Sequence, residues 1–157
     1  MNFIKMKMNA LVSCNLDCSK AYEKAAEEVK NENFRNFLKN YAVHRKAFAN
    51  ELSKRFSAEF NLEVSKVATM PCKRMEERLK SAGEVPSEIK DKAILKACGL
   101  GEDSAISAYE NALSRKELSD ETFKILHRHR NHLIVARRIL TDLTPVIYQR
   151  AGQNPAV

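Results

Sequence analysis

Residues 91–113 read DKAILKACGLGEDSAISAYENAL. Within this stretch Leu95, Cys98, Glu102, Ala105, Tyr109 and Ala112/Leu113 recur at steps of three and four, which lays them along one face of a 3.6-residue helix. The spacing predicts a long helix over 88–114, with Gly99 and Gly101 marking a kink or the close approach of a neighbour. Glu102 is the anomaly on that apolar face. A carboxylate buried there needs donors, a counter-charge or a metal, because without them it goes neutral.

Working outward, Ser119 and Thr122 mark a new helix start, and Asp120-Glu121 suits a first turn. That helix is expected over 120–143, on a stripe of Phe123, Leu126, His129, His132/Leu133, Ala136, Leu140 and Leu143, with Pro145 bending or ending it. Toward the N-terminus, Leu11, Asn15, Cys18, Tyr22, Ala25 and Val29 predict a helix over 8–29. After the polar break at 30–33, Phe34, Phe37/Leu38, Tyr41, His44, Phe48, Leu52 and Phe56 predict another over 32–56. Connections this short make each pair an antiparallel hairpin. The stretch between Leu52 and Ser87 is too long for a hairpin turn and reads as a crossover. Pro71 opens a short helix there over 72–81, Gly83 and Pro86 end it, and Ser87 caps the next helix. The expectation is a single all-α domain over 1–157, a four-helix bundle over about 8–143 with a partly disordered tail from 144.

The halves repeat a polar pattern. Asn15-x6-Tyr22 precedes Tyr41-x2-His44, and Glu102-x6-Tyr109 precedes His129-x2-His132. At about 1.5 Å per residue these positions lie at similar heights above the two turns. Asn15, Tyr22, Tyr41 and Tyr109 are therefore expected to form a polar core layer with Glu102 and the histidines. His44, Glu102, His129 and His132 would make an N3O ligand set that suits zinc, or iron or manganese with open positions. The alternative is that these groups bond one another and the backbone. His127 falls off the stripe and is read as surface.

E-x6-Y followed by E-x2-H in each half is the pattern of ferritin-like, rubrerythrin-type bundles, which this chain resembles. Their fold implies two irons held by four carboxylates and two histidines. Here Glu102-x6-Tyr109 keeps the motif, Asn15 stands where a glutamate is expected, and Tyr41 and His129 replace the glutamates of the E-x2-H pairs. The motif is degraded, so the implied di-iron chemistry does not carry over. The stretches 17–26, 44–52 and 91–113 are more closely similar to a bacterial family of ferritin-like bundles of unknown function. That resemblance implies fold rather than activity.

Composition is consistent with this reading. The 157 residues include only four Gly and four Pro, and 30% are charged, with 27 Lys+Arg against 20 Asp+Glu for a net charge of +7. That balance is ordinary for a soluble helical surface. Nucleic-acid binding is not the first expectation, because no Lys/Arg block is interleaved with aromatics and no helix-turn-helix signature occurs; an interaction or nucleic-acid-associated module acting through a basic face is the alternative. Arg128, Arg130 and Arg137 are read as a solvated face paired with neighbouring acids. No apolar run is long enough to span a bilayer and no signal h-region is evident, so a cytoplasmic protein with no membrane partner is expected. Cys14, Cys18, Cys72 and Cys98 form no CxxC pair and are read as reduced, mostly buried thiols. The apolar residues among 1–8 suit either a homo-oligomer contact or a disordered start. With no nucleotide loop and no nucleophile elbow, no catalytic residue is assigned.

Overall fold

The computed structural model describes residues 3–61 and 73–152. Among them lie five α-helices and one 3-10 turn, with no strand. We label the helices α1 (Phe3–Ala26), α2 (Glu32–Phe60), α3 (Arg74–Gly83), α4 (Lys90–Leu113) and α5 (Asp120–Gly152); the 3-10 turn spans Ser87–Ile89.

Helix α1 begins earlier than its stripe predicts, because Ile4 and Met8 continue the apolar face and are buried. It also ends earlier: Val29 is buried but lies in the turn. Asn31 caps α2, its Oδ1 accepting from the Phe34 N–H at 2.9 Å. Helix α2 runs one turn past the expected end and stops at Asn61, whose φ of 54° is the left-handed conformation that closes a helix. Ser87 does not cap α4; it opens the 3-10 turn instead. Helix α5 continues through Pro145 to Gly152. Proline removes one ladder bond, yet Ile147 beyond it is buried against the core, and that burial offsets the loss. The expected start of α3 at Pro71 and Cys72 lies outside the described residues, as do the final residues of the expected tail.

The side-chain bonds fix the directions of the long helices. Ser19 reaches the Ala42 carbonyl and Asn15 reaches Arg45, so α1 and α2 run antiparallel. Arg137–Asp103 and Arg130–Glu110 do the same for α4 and α5. Across the hairpins, Tyr22–Glu102 with Asn15–Tyr109 sets α1 against α4. Tyr41–His132 with Arg55–Glu121 sets α2 against α5, again antiparallel.

Carboxylates from distant helices close the joints. Asp91 on α4 accepts from the Lys30 and Asn31 N–H groups in the α1–α2 turn, both at 2.8 Å. Glu59 on α2 accepts from the Ser119 N–H at 3.2 Å and the Thr122 hydroxyl at 2.9 Å, at the start of α5. Asp17 on α1 accepts from the Met75 N–H at 2.8 Å and the Glu76 N–H at 3.3 Å, capping α3, whose own N-cap Lys73 makes no side-chain cap bond. Asp17→Ala is expected to cost about 1 kcal/mol, the usual worth of a lost cap. Hydrogen exchange should then speed up at the Met75 and Glu76 amides while the α2 core amides change little. Equal acceleration everywhere would contradict a local role.

Helix α3 docks by inserting Met75 against α4. A Cβ on Gly101 would stand 1.8 Å from the Met75 methyl carbon, so the glycine makes the close approach possible. Arg137 lies over Gly99 in a similar way, 3.2 Å from where a Cβ would sit. Both glycines thus mark close approaches.

The apolar core is in two clusters. One gathers Tyr22, Phe34, Leu38, Met75, Ile94 and Leu140; the other gathers Met8, Leu52, Phe56, Leu126 and Leu133. On each long helix a polar residue lies at or near the boundary between them: Asn15, Arg45, Glu102 and His129.

Candidate functional site

Asn15, Tyr22, Tyr41, Glu102, Tyr109 and His129 are all buried, on α1, α2, α4 and α5. A seventh member is Arg45, 1% exposed and among the largest fully buried side chains. The layer is built around Glu102. Its Oε1 accepts from the Tyr22 hydroxyl at 2.6 Å and from Arg45 Nη1 at 2.9 Å, and its Oε2 accepts from the Tyr41 hydroxyl at 2.9 Å. Arg45 Nε donates to Asn15 Oδ1 at 2.5 Å. Asn15 Nδ2 donates to the Leu11 carbonyl at 2.9 Å and to the Tyr109 oxygen at 2.8 Å.

The chain of bonds then turns toward the surface. Since the Tyr109 oxygen accepts from Asn15, its own proton goes to His129 Nδ1, 3.1 Å away. The neutral ring therefore carries its proton on Nε2 and donates it to Glu51 Oε1 at 2.6 Å. Arg128 holds the other Glu51 oxygen at 2.5 Å. Phe48 stacks on the His129 ring with centroids 4.0 Å apart, covering its face.

The charges follow from these surroundings. Burial alone would lower the pKa of Arg45, but Cys18, Glu102 and the nearby tyrosines outweigh it and hold the guanidinium charged. Burial raises Tyr22, Tyr41 and Tyr109 well above the ordinary phenol value, and Glu102 adds to the effect, so these hydroxyls stay protonated donors. Burial lowers His129 to about 4, against which Glu51 pulls only partly. Burial would raise Glu51, but bonds from Arg128 and His129 overcome it and leave it below its ordinary value. Cys98 is pushed up by burial and then by Glu102, leaving an unreactive thiol.

His44 is not in the core. It is exposed, and its ring lies 4.7 Å from that of half-buried His132, on the α2–α5 surface. Position 45, not 44, continues the buried face, being four residues after Tyr41 and three before Phe48. Phe123 is also outside the core, at 42% exposed, while His127 is exposed as its off-stripe position suggests. The four expected ligands are not gathered: among the described residues no group of three or more His, Cys, Asp or Glu side chains could hold a metal ion. The donor chemistry gives the reason. Both Glu102 oxygens and both His129 nitrogens are already bonded, and a guanidinium stands beside the carboxylate where a ligand set would place a metal. The residues present therefore fit neither a di-iron centre nor a mononuclear site of three histidines and one glutamate.

Around the site, Arg128, Arg130 and Arg137 pair with Glu51, Glu110 and Asp103. Cys14 is half-buried, Cys18 and Cys98 are buried, and Cys72 lies outside the described residues. Among the described residues no helix is long and apolar enough to cross a membrane.

A family model described as a domain of unknown function, DUF2383, matches residues 4–115. The match takes in α1 to α4, and with them every member of the layer except His129. No curated protein matches the chain, and no solved structure does.

Proposed function

We propose, from the premise that the chain belongs to the DUF2383 family of domains of unknown function, that it is a single-domain, ferritin-like four-helix bundle whose central layer is closed by an ion pair instead of a metal. The antiparallel pairings of α1 with α2 and α4, and of α5 with α4 and α2, give an up-down-down-up order with one long crossover. That is the order expected of a ferritin-like bundle. The observation carrying the proposal is Arg45: a fully buried guanidinium bonded to Glu102 and Asn15. It supplies the positive charge that a metal would otherwise bring to these side chains.

We assign no catalytic role to Glu102 or His129. A general acid or base needs a free position within hydrogen-bond reach of a substrate. The layer offers none at Glu102 or His129. The same saturation argues against metal-dependent redox work. The pairing of Arg128, Arg130 and Arg137 with carboxylates argues against a phosphate-binding face, so we assign no nucleic-acid partner.

Elemental analysis of the purified protein after mild chelation tests this directly. Wild type is expected to hold well under one equivalent of zinc, iron or manganese, and its Tm should not move when any of the three is added. One equivalent retained by wild type and lost in Glu102→Ala would replace the ion-pair reading with a metal centre.

A further inference from the structure

A cavity of about 70 Å³ lies between α1, α3 and α4, on the opposite side of the layer from His129 and Glu51. Its inner end is formed by the buried side chains of Asn15, Arg45 and Tyr109. Its walls are apolar, with Leu11, Met75 and Ala105 among them. Its outer rim carries Arg74, which is exposed, and Arg78, which is half-buried.

These two arginines differ from those that reach a carboxylate on a neighbouring helix. Arg55, Arg128, Arg130 and Arg137 each pair with a carboxylate. Arg74 and Arg78 have no ion-pair partner among the described residues. They are four apart on α3, so their like charges face the same way and repel. The carboxylate that also lines the cavity, Asp17, is already engaged by the Met75 and Glu76 N–H groups. A small apolar slot with two uncompensated guanidiniums at its opening has the anatomy of a site for an anionic head on an apolar tail.

We propose that this cavity binds short-chain monocarboxylates, with the carboxylate held between Arg74 and Arg78 and the alkyl chain lying against Leu11, Met75 and Ala105. The volume sets the size. It is roughly half of the ~150 Å³ apolar cavity that admits the six carbons of benzene, which suits the three-carbon tail of butyrate with its head outside. The inference does not rest on the ion pair of the central layer and survives if a metal is found there.

Titration of the whole protein with butyrate, followed by amide chemical shifts, tests the site. Saturable shifts are expected at residues of α1, α3 and α4 around the cavity. Binding should be at least tenfold tighter than for acetate, inorganic phosphate or the neutral butanol. The double variant Arg74→Gln/Arg78→Gln changes rim side chains only and should retain the wild-type Tm while weakening binding at least tenfold. Ala105→Leu, which fills the slot from α4, should abolish binding of butyrate. Absence of saturable shifts would overturn the proposal. So would equal affinity for butyrate and acetate, equal affinity for butyrate and butanol, or undiminished binding in the arginine double variant.

Discussion

Glu102→Ala is expected to destabilise the protein by about 3–5 kcal/mol, the usual cost of removing one partner from a buried ion pair. For a chain of this size that corresponds to a fall in Tm of roughly 10 °C or more. The cause is the group left behind. Arg45 is 1% exposed, its guanidinium loses its counter-charge, and the Tyr22 and Tyr41 hydroxyls lose their acceptor together with it. Arg45→Met should recover part of the loss when combined with Glu102→Gln, because the uncompensated charge disappears while the tyrosines keep an acceptor. A double-mutant cycle by urea denaturation would read the coupling between positions 45 and 102. Additive losses, or a cost below about 1 kcal/mol for Glu102→Ala, would mean that the pair does not hold the layer.

The second large effect is on acid stability. His129 has its pKa lowered by burial to about 4 in the folded chain, against 6.5 for an unperturbed imidazole. Between those values the unfolded chain binds a proton that the folded chain refuses. Stability is therefore full above about 6.5 and falls as the pH drops toward 4, by up to about 3 kcal/mol. His132 contributes in the same direction, its pKa lowered by burial and then by His44 and Arg45. Glu51 acts later. Its folded pKa is depressed, so its contribution is present above 4.5 and is lost only as the pH falls through the lower folded value. Urea midpoints measured from pH 7.5 to 4.5 should show the early slope, and His129→Gln should flatten most of it. An unchanged slope in that variant would assign the acid sensitivity elsewhere.

Much of the fold was legible because apolar periodicity and polar breaks report directly on helices. The stripes on α1, α2, α4 and α5, the break at 30–33 and the start at Ser119 all correspond to observed elements. What periodicity could not weigh was burial against rule. Pro145 should stop a helix, but Ile147 has an apolar place waiting beyond it. The layer was legible in Asn15, Tyr22, Tyr41, Glu102, Tyr109 and His129, since polar groups on apolar stripes must find one another. Arg45 was not. Its step from Tyr41 and to Phe48 puts it on the buried face, yet an arginine is so seldom buried that histidine at 44 is the natural choice from residue type. The carboxylate at 102 was the signal that a cation had to be near. Glu51 and Asp17 bond across helices, and no local spacing announces such partners.

The crossed carboxylates at the joints have a consequence for how the molecule assembles. The turn of the first hairpin takes its acceptor from α4, and the entrance to α5 takes one from α2. Each half thus carries the clasp that fastens the other. Sliding one half along its mate by a single turn would undo both clasps together. The same two contacts that finish the loops therefore select the mating alignment.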